Sequence, residues 1–391
     1  MNKIVRQLCK IITITILVLS EFLDICYGNI NYSVSHKDDL QLSAISAVVI
    51  DASNNRMLYG KNPYDKRAMA STTKIMTCIL ALEQANLEDV VKVSKYAASM
   101  PKVKCGIKEG ECYILEDLVY GLMLESYNDV AVAIAEHIAG NVEEFAKMMN
   151  IKANEIGMTN TNFVTPNGLD DKNHYSTAYD MALLGSYAIK NEKFIEIINT
   201  KQHTISQIGG NRTKECFNRD SFLNLMEGAI GIKTGFTGKA GYCFVGAVKK
   251  NNSTLISVVL GSGWPPQKNM KWTDTKSLME YALVNYEYKQ LINKSWKRDI
   301  EVEAGTKNKV ETSGECNYEC LISEMDNVNF EVEIKRKLVA PIQKGEIVGK
   351  IKIVINDKVE KEFEIVTEEE IKRKDYIYCL GLLFNLLKLN L

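Results

Sequence analysis

The order of hydrophobic patterns along this chain restricts its fold more than any other feature. "AISAVVIDASNNRMLYGKN", residues 44 to 62, reads as two strands joined by a turn at Asn54-Asn55. From Leu115 to about Asn199 the period changes to that of helices: "LEDLVYGLMLE", "NDVAVAIAEHIAG" with Asp129 near its start and Gly140 near its end, "VEEFAKMMNIKANEIGM", and "STAYDMALLGSYAIKN", where Thr177 and Asp180 have capping-box spacing. Strands return in "GAIGIKTGF", "AGYCFVGAVKK" and "STLISVVLGS", with a turn at Asn251-Asn252, before a closing helix "TKSLMEYALVNY". Strands at both ends with helices between predict one sheet built from the two ends of a domain, with a helical subdomain inserted into it. A cleft between the two parts is the natural place for a site.

From about Ser295 the pattern becomes alternating. "RDIEVEA", "NFEVEIKRKLVAPI", "EIVGKIKIVI" and "KVEKEFEIVT", with a turn signal at Asn356-Asp357, predict a small all-β domain over 295–370. The last residues, 371–391, place Lys372, Arg373 and Lys374 ahead of an apolar tail from Tyr376 to Leu391. That tail is short against the ~20 residues needed to span a bilayer. Asn385, Lys388 and Asn390 interrupt it, which suits a helix lying in the interface beside anionic lipid.

The N-terminus carries Lys3, Arg6 and Lys10, an apolar run from Ile11 to Leu19, and "CYG" ending at Gly28. This is the layout of a secretory signal peptide over 1–28, cleaved after Gly28. Glu21 and Asp24 break the run against an uncleaved anchor, and Ile25 is too bulky for the residue before a lipidated Cys26. With a formal net charge of -1 over 391 residues, nothing favours a nucleic-acid partner. Of ten cysteines, eight follow the expected leader. "CGIKEGEC" lets Cys105 and Cys112 close a turn and "CNYEC" offers Cys316 with Cys320; free thiols are the alternative, and spacing does not choose between them. The four histidines are not clustered with these cysteines, which argues against zinc.

Three short stretches carry chemistry. In "RAMASTTKIM", residues 67 to 76, Ser71 and Lys74 stand at i,i+3 and share a helix face. "IMTCILALE" behind them is apolar on nearly every side, so the helix is central and buried. A buried ammonium loses its proton more readily, and a neutral lysine can take the proton of a serine hydroxyl. A capping serine followed by a lysine whose stem packs and whose head reaches water fits the same letters. In "ESYND", Ser126 and Asn128 lie between two helical segments, where a hydroxyl can relay a proton and an amide can hold a carbonyl; a helix N-cap is the plainer account. In "GIKTGFT", Lys233 and Thr234 suit an anionic carboxylate, and Gly235 lets a substrate backbone lie against the strand; a strand ending in a turn is the alternative.

S-x-x-K, S-x-N and K-T-G in this order resemble the signature set of the penicillin-binding proteins and serine β-lactamases. "FVTPNGLDDKNHYSTAYDMALL" and "GAIGIKTGFTGKAGYCFVGAVKK" extend the resemblance to the low-molecular-mass penicillin-binding proteins, the serine-type D-alanyl-D-alanine carboxypeptidases, from about Ala44 to Tyr286. It resumes more weakly at "APIQKGEIVGKIKI". The resemblance implies an α/β (α+β) fold: an antiparallel sheet with an inserted helical subdomain as the catalytic domain over 29–294, followed by the small β-domain. It implies that Ser71 attacks the carbonyl between the two terminal D-alanines of a peptidoglycan stem peptide, with Lys74 as base, leaving an acyl-enzyme that water hydrolyses, and that β-lactams acylate the same serine. Ser126 would relay the proton to the leaving amine and Asn128 would position the acyl portion. Lys233 and Thr234 would bind the terminal carboxylate, and the backbone N–H groups of Ser71 and Phe236 would form the oxyanion hole. No metal or organic cofactor is implied. Members of the family often attach to the outer face of the cytoplasmic membrane by a tail such as this one, so the same place is expected here.

Arg219 in "FNRDSF" is a further candidate for the substrate carboxylate, and a surface salt bridge is its equal alternative. Tyr127 stands where small residues are common, so it either lines the cleft or points away. A β-lactamase would share fold and motifs, but no E-x-x-L-N occurs between Asn128 and Lys233; "DSFLN" at 220 to 224 only mimics it. The motifs leave an endopeptidase or transpeptidase open. The intact nucleophile and both lysines oppose a non-catalytic wall-binding or antibiotic-sensing module.

Overall fold

The computed structural model describes residues 23–30 and 40–388. The chain forms two compact units, Asp38–Tyr286 and a second built from Glu287 onward together with the N-terminal strand. That strand, β1 (Leu23–Ile30), pairs antiparallel with residues 328–335 of the second unit. Residues 1–22, which hold the charged and apolar parts of the expected leader, lie outside the described residues. Cleavage after Gly28 would remove Leu23–Gly28 from this strand.

The first unit opens with β2 (Ser46–Asp51) and β3 (Met57–Lys61). A single 3-10 turn over Ala70–Thr73 leads into α1 (Lys74–Gln84). Every residue of α1 from Lys74 to Ala81 is buried, as its all-round apolar sequence predicts. There follow β4 (Val90–Lys92), α2 (Lys95–Ala98), β5 (Cys112–Ile114), and the helices α3 (Leu115–Leu124), α4 (Asn128–Ala139), α5 (Val142–Ile156), α6 (Ala178–Ala188) and α7 (Glu192–Asn199). Gly140 ends α4 at φ 82°, and Thr177 caps α6 by accepting the Asp180 N–H, both where the sequence places them. Next come β6 (Gln202–Ile208), β7 (Thr213–Phe217), β8 (Ala229–Thr237), β9 (Gly241–Lys250), β10 (Ser253–Leu260) and α8 (Met270–Asn285).

The principal sheet runs β3-β2-β10-β9-β8, all antiparallel, so strands from both ends of the unit enclose the helical insertion. Asn251 and Asn252 turn β9 into β10 with φ of 52° and 61°, the left-handed pair a tight hairpin requires. β8 is the last strand of the sheet, and among the described residues no strand pairs with its outer edge. A second sheet, β4-β5-β6-β7, is absent from the sequence reading. Its strands are short and largely exposed on one face, so their alternation is too brief to register.

The second unit is one seven-stranded sheet, β1-β13-β15-β16-β12-β11-β14. Its further members are β11 (Glu287–Glu303), β12 (Lys309–Ile322), β13 (Val328–Lys335), β14 (Lys337–Val339), β15 (Ile347–Ile355) and β16 (Lys358–Thr367). Two boundaries differ from those expected. β11 begins at Glu287, not near Ser295, because "EYKQLINK" pairs with β12 as an exposed ribbon whose polar character hides the strand period. Ile371 is buried and bridges to Ile342, and Arg373 bridges to Gly305, so the β-unit continues past 370. The tail helix, α9 (Tyr376–Lys388), starts only after it. All eight described cysteines outside β1 are free thiols. Cys316 and Cys320 lie four apart on the continuous strand β12, roughly 13 Å along the chain, beyond the reach of a disulfide.

Candidate active site

The three motifs meet where the turn before α1 lies against β8. A Cβ on Gly235 would stand 3.0 Å from the Ser71 and Thr72 nitrogens and 3.1 Å from Met69 O, so only glycine allows this approach. Side chains alternate along β8, so Lys233 shares the face of Gly235 and points under the same turn. Tyr242, opposite Phe236, donates its N–H to Gly263 O and accepts from Ser262 N–H, both away from β8. Phe236 therefore faces a non-hydrogen-bonded pair, and its own N–H points out from the free edge of the sheet. That edge is where Ser71 is held.

Lys74 Nζ lies 2.9 Å from Ser71 Oγ, 2.9 Å from Asn128 Oδ1 and 2.6 Å from Asn167 O. The side chain is fully buried. Burial pulls its pKa well below the usual lysine value, the nearby Lys233 cation adds to this, and Asp129 opposes it. Of the three oxygens, two are carbonyls that only accept. A neutral amine with two N–H groups satisfies both and turns its lone pair to the third. Ser71 is the one partner able to donate, so deprotonating Lys74 orients the serine proton toward it.

Asn128 opens α4, and its amide Nδ2 donates to Pro101 O at 3.3 Å, which fixes Oδ1 toward Lys74. Asp129 beside it is buried and accepts four backbone N–H groups, from Cys105, Gly106, Ile107 and Val130, which ties the 105–107 loop to the start of α4. Ser126 sits at φ 65°, and its Oγ is buried without a partner among the described residues. With no protein partner, this hydroxyl is left able to bond a ligand in the cleft. Ala70, immediately before Ser71, is held at φ 48°. Tyr127 points away from the cleft; it is buried in the core against Gly121 and the Cys216 thiol.

Lys233 is 3 % exposed. Desolvation brings its pKa down to about 8, and the carboxylates of Asp220 and Glu125 resist that fall. Its Nζ donates to Thr234 O at 3.2 Å. Asp220 is half-buried, and desolvation pushes its pKa up to about 6; its oxygens accept from Phe222 N–H in the turn after it and from Ile232 N–H on β8. Arg219 grips Glu125 with a bidentate pair at 2.8 and 3.0 Å, and its side chain is 65 % exposed. Thr234 lies at the open edge of β8, and Phe236 packs its ring on Tyr242 at 4.5 Å.

One loop of the site was not assigned from sequence. In Thr165–Leu169, Pro166 O accepts from Thr77 Oγ1 and Asn167 O from Lys74. Gly168 at φ 80° lies against the Ala70 carbonyl. His174 locks the same loop: its Nδ1 accepts from Val164 and Thr165 N–H, which leaves Nε2–H to donate to Thr73 Oγ1 at 2.8 Å. The signal available was the Pro-Asn-Gly turn within the helical half. Its contacts are made by main-chain carbonyls, which leave no mark on residue type. Among the described residues no group of three or more metal-ligating side chains gathers.

Residues 32–263 match the family model described as D-alanyl-D-alanine carboxypeptidase, and residues 286–373 match that of the penicillin-binding protein 5 C-terminal domain. D-alanyl-D-alanine carboxypeptidase DacF of Bacillus subtilis is 32 % identical over 353 residues, covering 88 % of this chain and 89 % of its own. DacA of Haemophilus influenzae is 33 % identical over 80 % of this chain and 81 % of its own. Among solved structures, penicillin binding protein 5 from Haemophilus influenzae aligns with a TM-score of 0.70 at 29 % identity, covering 87 % of this chain and all of that one. The Streptomyces K15 DD-transpeptidase aligns with a TM-score of 0.59 at 30 % identity, over 63 % of this chain and all of that one.

Proposed function

The chain belongs to the D-alanyl-D-alanine carboxypeptidase family, the low-molecular-mass penicillin-binding proteins, and is a serine-type carboxypeptidase; from that premise we propose that its reaction runs through Ser71 on peptidoglycan stem peptides ending in D-Ala-D-Ala. The observation that carries this reading is the fully buried Lys74 Nζ, 2.9 Å from Ser71 Oγ and between two carbonyls that can only accept.

Ser71 Oγ attacks the carbonyl carbon between the two D-alanines while its proton passes to Lys74 Nζ. The oxyanion forms between the N–H groups of Ser71 and Phe236. The C–N bond breaks as Ser126 hands its proton to the leaving amine and takes one in turn from Lys74 Nζ, so D-alanine departs with both the serine hydroxyl and the neutral amine of Lys74 restored. Water then attacks the ester, gives its proton to the same base and restores Ser71 Oγ–H. Asn128 holds the acyl portion and Lys74. Lys233, Thr234 and the outer edge of Arg219 take the terminal carboxylate. The position of Asp220 speaks against a β-lactamase reading of "DSFLN", since its carboxylate is engaged by Phe222 and Ile232 N–H groups.

We also place the enzyme outside the cytoplasmic membrane, after export and cleavage near Gly28, with α9 lying on the outer membrane face. Ile377, Leu382, Leu383, Phe384, Leu386 and Leu387 on this helix are exposed. Its 13 residues extend about 20 Å, short of a bilayer core, and among the described residues no helix is long and apolar enough to cross. A chain ending at Lys374 should move to the soluble fraction; retention in the membrane would sink the anchor.

The site is tested by intact-mass spectrometry after incubation with benzylpenicillin, beside Ser71→Ala, and by D-alanine release from a peptide ending in D-Ala-D-Ala. A stable adduct on the wild type alone, with D-alanine released, is the expected result. Rapid loss of the adduct with little D-alanine released would indicate a β-lactamase. No adduct would remove Ser71 as nucleophile.

A further inference from the structure

Glu125 joins two pieces of the site. It precedes Ser126, whose backbone is held at φ 65°. Its side chain is only 9 % exposed, yet the motifs give it no role. Its Oε1 accepts from Phe217 N–H at 3.0 Å and Arg219 Nη2 at 3.0 Å, and its Oε2 from Arg219 Nε at 2.8 Å. Arg219 N–H returns a bond to Leu124 O at 3.3 Å. Four hydrogen bonds thus tie Leu124 and Glu125, the two residues before Ser126, to Phe217 and Arg219.

The bidentate pair uses one edge of the guanidinium, Nε–Nη2. A guanidinium has five N–H groups in a rigid fork, so the outer Nη1–Nη2 edge remains to grip a second carboxylate. An exposed arginine without such a holder would spread over many rotamers and lose the orientation on which a two-point grip depends. Glu125 carries charge into the cleft as well, being one of the two carboxylates that draw on Lys233.

We propose that Glu125 is a positioning residue: it holds the inner edge of Arg219 so that the outer edge meets the substrate's terminal carboxylate, and it fixes that grip to the turn that carries Ser126. Carboxylate recognition and proton delivery to the leaving D-alanine are thereby set by one side chain. The inference rests on the reading above in which Arg219 receives the carboxylate.

The test compares kcat/KM for a peptide ending in D-Ala-D-Ala with that for its C-terminal amide, on the full chain and on Glu125→Gln, Glu125→Ala, Arg219→Ala and the Glu125→Ala/Arg219→Ala double variant. The acid-to-amide ratio is taken within each preparation, so a partly unfolded sample leaves it unchanged. Arg219→Ala should lower the ratio about tenfold, as expected for a lost charge-assisted grip. Both Glu125 variants should lower it comparably, with the effect mainly in KM for the acid, and the double variant should add little. A ratio unchanged in the Glu125 variants while Arg219→Ala lowers it would overturn the positioning role alone. A ratio unchanged in Arg219→Ala would overturn the carboxylate assignment of Arg219 and the proposal with it.

Discussion

Gly168 lies so close to Ala70 that a Cβ added to it would stand 2.0 Å from the Ala70 carbonyl oxygen and 2.8 Å from Thr73 Oγ1. The contact seats the Thr165–Leu169 loop on the turn that carries Ser71, and it brings Asn167 O to Lys74. The φ of 80° at Gly168 adds a second reason for glycine. Gly168→Ala should therefore separate loop and turn. We expect benzylpenicillin acylation of Ser71 to slow about 100-fold or more, because displacements near 1 Å cost that much in a preorganised site. Timed intact-mass measurement reads the rate; acylation within a few-fold of wild type would show that the loop does not position Lys74.

Lys74→Arg keeps the positive charge and removes the capacity to give it up. Acylation should fall by about 10²–10⁴, the usual worth of a general base. Lys74→Arg retaining near-normal acylation would mean that the cation, not the neutral amine, does the work.

Lys233 is a cation below about pH 8 and neutral above it. Binding of a terminal carboxylate needs the cation, so KM for the acid peptide should rise as pH passes about 8. Asp220 and Glu125 favour the cation, whereas burial opposes it. Asp220→Asn removes one of these supports, so its alkaline limb should lie at lower pH than that of the wild type. A pH profile of kcat/KM measures both; a limb that stays in place would disconnect Asp220 from Lys233.

Burial pulls the pKa of His174 down to about 4 from its ordinary 6.5. The native ring stays neutral because Nδ1 must accept two N–H groups. As pH falls from about 6.5 to 4 the unfolded chain takes up a proton that the native ring refuses, so stability is lost across that window and the loss is complete below it. The full difference is about 3 kcal/mol at most. His174→Gln should be less stable at pH 7.5 and lose less on acidification, as read by denaturant melts at several pH values. Parallel pH dependence in the two proteins would remove His174 from the account.

The sheet and its insertion were legible because β2, β3, β8, β9 and β10 keep clear turns and buried periods, and α1 is apolar on all sides. The three motifs were legible because each needs a particular functional group. β4 to β7 and the start of β11 were not, since short or two-sided polar strands carry no hydrophobic period. Asn167 was missed because it acts through its carbonyl, and any residue at that position would supply one.

The sequence by itself therefore determined the chemical inventory: a serine, two lysines, a second serine and an asparagine, in an order that implies one catalytic centre. It also determined which helix would be central, through burial of every face. Only the tertiary structure decided how those groups act. The charge state of Lys74 depends on complete burial beside Lys233 and on two carbonyls from segments 54 and 93 residues away in sequence. The outward direction of the Phe236 N–H depends on its register with Tyr242. The orientation of Arg219 depends on Glu125, 94 residues earlier in the chain. Pairings at such separation are set by packing of the whole core, so no local stretch of sequence records them.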